Sequence, residues 1–213
     1  MHERETGMSA EIDAIERVGG RLCLDFVNTR SSHYASDARE YLHDYTDLLR
    51  WLRGCADGLS AAQAGPLAAQ ALAHPRLAAA AFAQARVLRD LLYRVFTNVA
   101  RGTGPARGDV ERLDGEVRHA LAQRRLVPGA NWHWSWIDPD ALALPLWQAL
   151  ASSAQLLADD DLTRLKQCPA PDGCGWLFYD TSKNQTRRWC SMRMCGNGAK
   201  ARRFQQRLRD AAP

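Results

Sequence analysis

The chain has 213 residues, 46% of them hydrophobic, and no apolar run near the roughly 20 residues that a membrane-crossing helix needs. This excludes a membrane-crossing helix, and the length leaves room for one domain, or a domain with a small appendage. The net charge of +4 is unevenly placed: residues 164–213 hold 11 Lys and Arg against 3 Asp and Glu, whereas residues 1–163 hold 17 against 21. An acidic body with a strongly basic end is the asymmetry expected when one module meets a polyanion.

In chain order, residues 1–160 read as a mainly helical domain. Arg21 to Thr29 is apolar but too short to assign between strand and helix, although Leu22, Phe26 and Thr29 would share a helical face. Asp44 and Tyr45 open a helix through Leu48, Leu49 and Leu52, and Ser60 is placed to cap Ala61 to Ala73. Pro75 starts a long helix to about Ala100, with Leu77, Phe82, Leu88, Leu91, Leu92, Val95 and Phe96 as its buried face. A loop at 102–108 precedes a helix expected over 109–125. Residues 131–136, N-W-H-W-S-W, alternate at period two and read as a strand. Its three tryptophans either close the core, the preferred reading, or stack on bases. Pro139 begins a helix over 141–158, and Asp159 to Asp161 mark the boundary with a second unit, residues 161–213.

That second unit carries Cys168, Cys174, Cys190 and Cys195, two close pairs separated by 15 residues. Zinc takes four thiolates at tetrahedral corners, and a tight turn presents two of them while a returning chain brings the other pair. The first pair encloses P-A-P-D-G, in which Pro169, Pro171 and Gly173 favour a compact turn over a helix. Between the pairs a strand over Trp176 to Tyr179, a polar turn around Asp180 to Asn184 and a return strand ending at Trp189 are expected. Ala199 to Asp210 reads as a helix, with Phe204 and Leu208 on one face. Knuckle, hairpin and helix is the treble-clef order, so the expected fold class is mainly α with a small β element, followed by a small zinc finger. Cys195 at a helix start would gain from the positive end of the helix dipole. Residues 1–12 are charged and lack the apolar core of a signal peptide, so a reducing cytoplasm is expected and a disulfide framework is not. Redox switching or an incidental thiol cluster are the remaining readings. Cys23 and Cys55 are expected to be unpaired.

The runs C-x5-C, G-W-L-F-Y-D, R-R-W-C-S-M and C-G-N-G-A-K-A-R-R resemble the CGNR zinc-finger family, bacterial proteins in which this finger follows a mainly helical ABATE domain. L-D-F-V-N-T, Leu24 to Thr29, is similar to the opening motif of that domain. The resemblance implies a stress-induced regulator of transcription, one structural zinc on Cys168, Cys174, Cys190 and Cys195, and a basic finger on DNA. The chain departs from the motif at Gly198, where the family has arginine, which removes one charge from the interface.

The candidate nucleic-acid residues are Arg187, Arg188, Lys200, Arg202, Arg203 and Arg207. Lys200, Arg203 and Arg207 share one helical face, while Phe204 and Leu208 are expected to seat the helix on Trp176, Phe178 or Trp189. DNA is the expected partner; RNA binding, protein docking and a redox-sensing zinc switch are the alternatives. Asp25, Asn28, Thr29, Arg86 and Arg89 are polar residues within apolar patterns. They are candidates for a small-molecule effector pocket, or else for caps and surface ion pairs. No catalytic residue is identified: four cysteines close a zinc shell, none of the six histidines forms an H-x-x-x-H pair, and no nucleophile-elbow or phosphate-loop motif is present. Enzymatic activity is not expected.

Overall fold

The ambiguous opening stretch is a helix, α1 (Leu22–Val27), because Leu22, Cys23, Leu24, Phe26 and Val27 are all buried and the segment is surrounded on nearly every side. The chain is seen in a computed structural model that describes residues 12–13, 15–32, 38–169 and 174–210. Asp44 accepts the Asp47 amide at 2.8 Å and starts α2 (Tyr45–Arg53), and Ser60 and Gln63 form a reciprocal capping box on α3 (Ala61–Ala73). Helix α4 (Pro75–Arg101) has proline in its first turn, where a missing amide hydrogen costs nothing, and ends at Gly102 in the left-handed conformation. Phe82, Leu88, Leu91, Leu92, Val95 and Phe96 are buried as expected. Leu77 is exposed instead, on the outward stripe that it shares with Ala80, Gln84 and Val87.

Helix α5 (Arg107–Ala122) stops short of residue 125 because the chain enters a strand that the sequence reading missed. This strand, β1 (Arg124–Val127), pairs antiparallel with β2 (His133–Trp136), placing Arg124 opposite Trp136 and Val127 opposite His133. The alternation of tryptophans did mark a strand, but not a core one: Trp132 is 66% and Trp134 57% exposed. Only Trp136, at the base of the hairpin, reaches the body, where it stacks on Trp147 at 5.9 Å. Helix α6 (Leu144–Asp159) begins at Leu144 with Pro145 in its first turn, not at Pro139 or Ala141. Pro139 and Asp140 lie in a turn held by Asp138, which accepts the Asp140 amide at 3.1 Å. Helix α6 packs on α1 and α5, and α4 packs on α1, α2 and α3.

A 3-10 turn at Leu162–Arg164 leads into β3 (Leu165–Gln167), antiparallel to β4 (Leu177–Tyr179), with Leu165 opposite Tyr179 and Gln167 opposite Leu177. The strand near 176–179 is present, but its partner precedes the first cysteine and is not a return strand ending at Trp189. The reason is Asp180. Its carboxylate accepts from the Ser182 amide at 2.9 Å and the Arg187 amide at 3.0 Å, while the Ser182 hydroxyl accepts the Thr186 amide at 3.0 Å. Backbone donors that a return strand would need are thus bonded to side chains. Pro171 and Gly173, expected to fold the turn inside the first cysteine pair, lie outside the described residues. A π-type turn, Met192–Gly196, and α7 (Asn197–Asp210) follow.

Candidate metal centre and nucleic-acid interface

Two local structures bring the four cysteines together. Cys168 leaves the end of β3, where its amide donates to Trp176 O at 2.8 Å, and Cys174 lies just ahead of β4. Cys190 follows the loop that Asp180 organises, and Cys195 sits in the π-type turn with its amide on Ser191 O at 3.0 Å. The last ligand therefore precedes α7 instead of lying in its first turn. Gly196 is closely covered: a Cβ there would stand 2.7 Å from the Met192 sulfur and 3.2 Å from the Trp189 ring, so the Met192 side chain would have to move.

The four Sγ atoms lie within 4.8 Å of one another, with Cys174 to Cys190 at 3.6 Å and Cys190 to Cys195 at 3.5 Å. A tetrahedron of Zn–S bonds has edges of about 3.8 Å, close to these separations, so the set fits zinc. The donor chemistry agrees. As bare thiols, hydrogen bonds from Cys174 and then from Cys190 and Cys195 lower Cys168, and the thiolate so favoured raises Cys174 and Cys190. The cluster cannot carry four negative charges by itself, and a dication at its centre removes that conflict. Cys23 and Cys55 stand apart, with burial pushing their thiols up to about 12 and about 11.

The metal region is seated on the body through β4. Asn28, fully buried, donates its amide to Leu177 O at 2.8 Å and accepts the Leu177 amide at 3.0 Å, so one side chain completes the backbone pairing of that strand. Tyr179 donates its amide to Gly19 O at 2.8 Å, and the Trp176 indole donates to Arg30 O at 2.6 Å. Gly20 adopts a φ of 75° beside Tyr179, a conformation open to glycine and costly for other residues. Buried Asp180 is held ionised: burial opposes its charge, but the Lys166 ammonium at 2.6 Å and the Ser182 hydroxyl at 2.6 Å outweigh it and lower its pKa.

The basic residues divide into two groups. Arg187 points inward, donating to Val18 O at 2.8 Å and Trp189 O at 3.1 Å with its guanidinium 4.4 Å from the Phe178 ring. It is a structural tie between finger and body, and its expected place on nucleic acid is corrected accordingly. Arg188 is exposed, its guanidinium 5.2 Å from the Trp189 ring. Lys200, Arg202, Arg203 and Arg207 all lie exposed on α7, together with Arg209. Arg202 approaches Gly198: its guanidinium is 3.5 Å from where a Cβ at 198 would stand. The seating of α7 through Phe204 and Leu208 is also corrected, as these are 63% and 57% exposed. Trp176, Leu177, Phe178 and Tyr179 are buried around β4, which leaves little apolar surface on which α7 could rest.

Of the residues proposed for an effector pocket, Arg89 and Thr29 are bonded to each other, and Asp25, Asn28 and Thr29 to the backbone. Arg89 is buried and grips Glu40 with both terminal nitrogens, one at 2.7 Å, while donating to Thr29 Oγ1 at 3.0 Å; Thr29 in turn donates to Phe26 O at 2.7 Å. Arg86 lies 4.0 Å from Glu40, and Asp25 accepts the Gly19 amide at 2.7 Å. With Asn28 committed to Leu177, Asn28, Thr29 and Arg89 are held in internal polar bonds, whereas Arg86 is an exposed residue.

Asp25 has a measurable consequence. Burial raises its pKa from the ordinary 3.8 to about 6, against the Gly19 amide and the charges of Arg17 and Arg187. A carboxyl whose folded pKa is raised binds its proton more tightly in the fold, so its contribution to stability improves as pH falls from above 6 towards 4. Asp25→Asn should therefore be more stable than the wild type at pH 8 by up to about 3 kcal/mol, with the difference shrinking towards pH 4. Denaturant midpoints of the two proteins across that range give the test; a difference independent of pH would rule out the titration.

A helical domain joined to a four-cysteine centre and a basic helix defines a zinc-finger protein. The ABATE domain model, described as "Putative stress-induced transcription regulator", matches residues 20–160, and the CGNR zinc finger model matches residues 164–208. The chain belongs to the ABATE family and carries a CGNR zinc finger. No curated protein matches it. Among the described residues no helix is long and apolar enough to cross a membrane.

Proposed function

We propose that the protein is a DNA-binding regulator of transcription in which one structural zinc ion folds the C-terminal segment and α7 meets duplex phosphates. The observation that carries this reading is α7 itself. Residues 201–210 are exposed without exception, and the helix bears Lys200, Arg202, Arg203, Arg207 and Arg209 against one acid, Asp210. A helix of this length has little stability of its own in water, so a partner that covers it supplies what the body does not. At about 21 Å it is long enough to lie along a DNA groove. Zinc held by four thiolates supplies a fixed cross-link and no open coordination position, which supports a structural and non-enzymatic role. Residues 1–160 form the regulatory body and 161–213 the finger, and six unpaired cysteines suit a reducing cytoplasm.

Neutralising about five phosphates gives a log-log slope of binding against salt near −4 to −5. Replacing Lys200, Arg203 and Arg207 together by alanine should bring the slope to about −2. Gly198→Arg should steepen it by about one, because the side chain meets only the Arg202 guanidinium at 3.5 Å and restores a cation. Anisotropy titrations of labelled duplex DNA measure all three. A flat salt dependence would sink the reading, and equal affinity for duplex RNA would transfer it to RNA.

A further inference from the structure

A cleft of about 440 Å³ opens on the body between the β1–β2 hairpin, the start of α1 and α6. Its walls include Arg124 and Trp136 of the hairpin, Gln148 and Ser152 of α6, Arg21 and Asp57. Arg21 is already neutralised, since Asp160 accepts from its Nε and Nη2 at 2.7 Å each. Arg124 is not. Its guanidinium lies over the rings of Trp134 and Trp136, 5.2 Å and 5.4 Å from their centroids, and its N–H donors have no acceptor among the described residues. Partial burial lowers its pKa, and no carboxylate offsets that effect.

Two acceptors complement this cation. Asp57 is exposed and has no ion pair among the described residues. Gln148 Oε1 is buried without a hydrogen-bond partner, and no hydrogen bond holds the amide against turning towards the cleft. Ser152 accepts the Cys23 amide at 3.1 Å and is also hydrogen-bonded to the Cys23 thiol, so it fixes this wall of the cleft against α1. One unpaired guanidinium, one unpaired carboxylate, an amide oxygen lacking a donor and an indole wall describe a molecule with both an anionic and a cationic end. The volume lies within the usual range for small-ligand sites.

We propose that this cleft binds a free amino acid, with its carboxylate on Arg124, its ammonium on Asp57 and Gln148, and its side chain along Trp136. A forked guanidinium is the strongest single recognition element for a carboxylate. The cleft also touches the seat of the finger: Gly20 and Arg21 line it, Gly19 O holds the Tyr179 amide, and the Arg21 guanidinium lies 4.3 Å from the Tyr179 ring. An occupant would bear directly on the segment that holds β4, which makes the cleft an effector site. This assignment is independent of the partner of α7.

Calorimetric and thermal-shift titration of the zinc-loaded full chain with each proteinogenic amino acid tests the assignment. At least one should bind with a dissociation constant below about 1 mM. Its N-acetyl derivative, which lacks the ammonium, and its amide, which lacks the carboxylate, should each bind about ten-fold more weakly or worse. Arg124→Met, which keeps the stem on the tryptophans, and Asp57→Asn should weaken binding similarly while leaving the ligand-free melting temperature near that of the wild type. Failure of every amino acid at 10 mM (on the order of a 3 kcal/mol interaction) overturns the proposal. So does binding that ignores either modification of the ligand, a readout that does not depend on how the variants fold.

Discussion

Chelating zinc from the loaded protein should raise amide hydrogen exchange in the body as well as in the finger. Structural zinc is worth about 10–16 kcal/mol in small four-ligand modules, far more than β3 and β4, three residues each, could supply through their own packing. Once the cysteines separate, β4 loses its constraint on the Cys174 side and the loop that Asp180 holds loses its anchor at Cys190. The amides of Leu177 and Tyr179 should then exchange faster, and with them the contacts those residues make to Asn28 and Gly19. Cys190→Ser should reproduce the effect without a chelator, because Cys190 is buried and lies 3.5–3.6 Å from two of the other sulfurs. Mass-spectrometric exchange before and after chelation reads both regions at once. Unchanged protection across residues 15–32 would mean that the finger unfolds alone and that its contacts with α1 are passive.

Replacing Asn28 with alanine should cost about 2–6 kcal/mol, the second large effect. The estimate follows from what is left behind: Leu177 N–H and C=O, both deep in the protein, each lose their partner, and each orphaned buried group costs about 1–3 kcal/mol. The cavity left by the shortened side chain adds to this. Zinc affinity should fall with stability, since β4 positions the chain directly after Cys174. Denaturant unfolding followed by tryptophan fluorescence, with a competitive chelator titration alongside, separates the two quantities. A loss of stability below about 1 kcal/mol would show that Leu177 finds other partners when Asn28 is gone.

The parts of this structure that the sequence makes legible are those governed by local rules. Ser60 ahead of α3, the proline that starts α4 and the paired cysteines each announce themselves within a few residues, and all stand where they are expected. What was not legible depends on partners far along the chain. Asn28 reads as a helix cap until Leu177, 149 residues away, is placed beside it. Arg187 reads as a phosphate ligand until Val18 and the Phe178 ring occupy it. The strand pairing of β4 is not legible because an apolar run identifies a strand without naming its partner, and Asp180 removes the nearest one. The tryptophans of residues 132–136 show the same limit in reverse: period two is a property of the strand, but burial depends on what covers its face, and Trp132 and Trp134 stay 66% and 57% exposed.

The interlock of β4 with residues 18–30 bears on how such proteins diversify by recombination. Residue 161 begins a new composition, and an exchange of genetic segments at that point would look conservative. Yet the receiving surface for β4 is encoded near the other end of the chain, in Gly19, Asn28 and Arg30. A finger inherited from a distant relative would arrive without its matching seat unless that early segment came with it. The two ends are therefore expected to travel as one hereditary unit, while the outward face of α7, which meets none of these constraints, is free to change its residues one at a time.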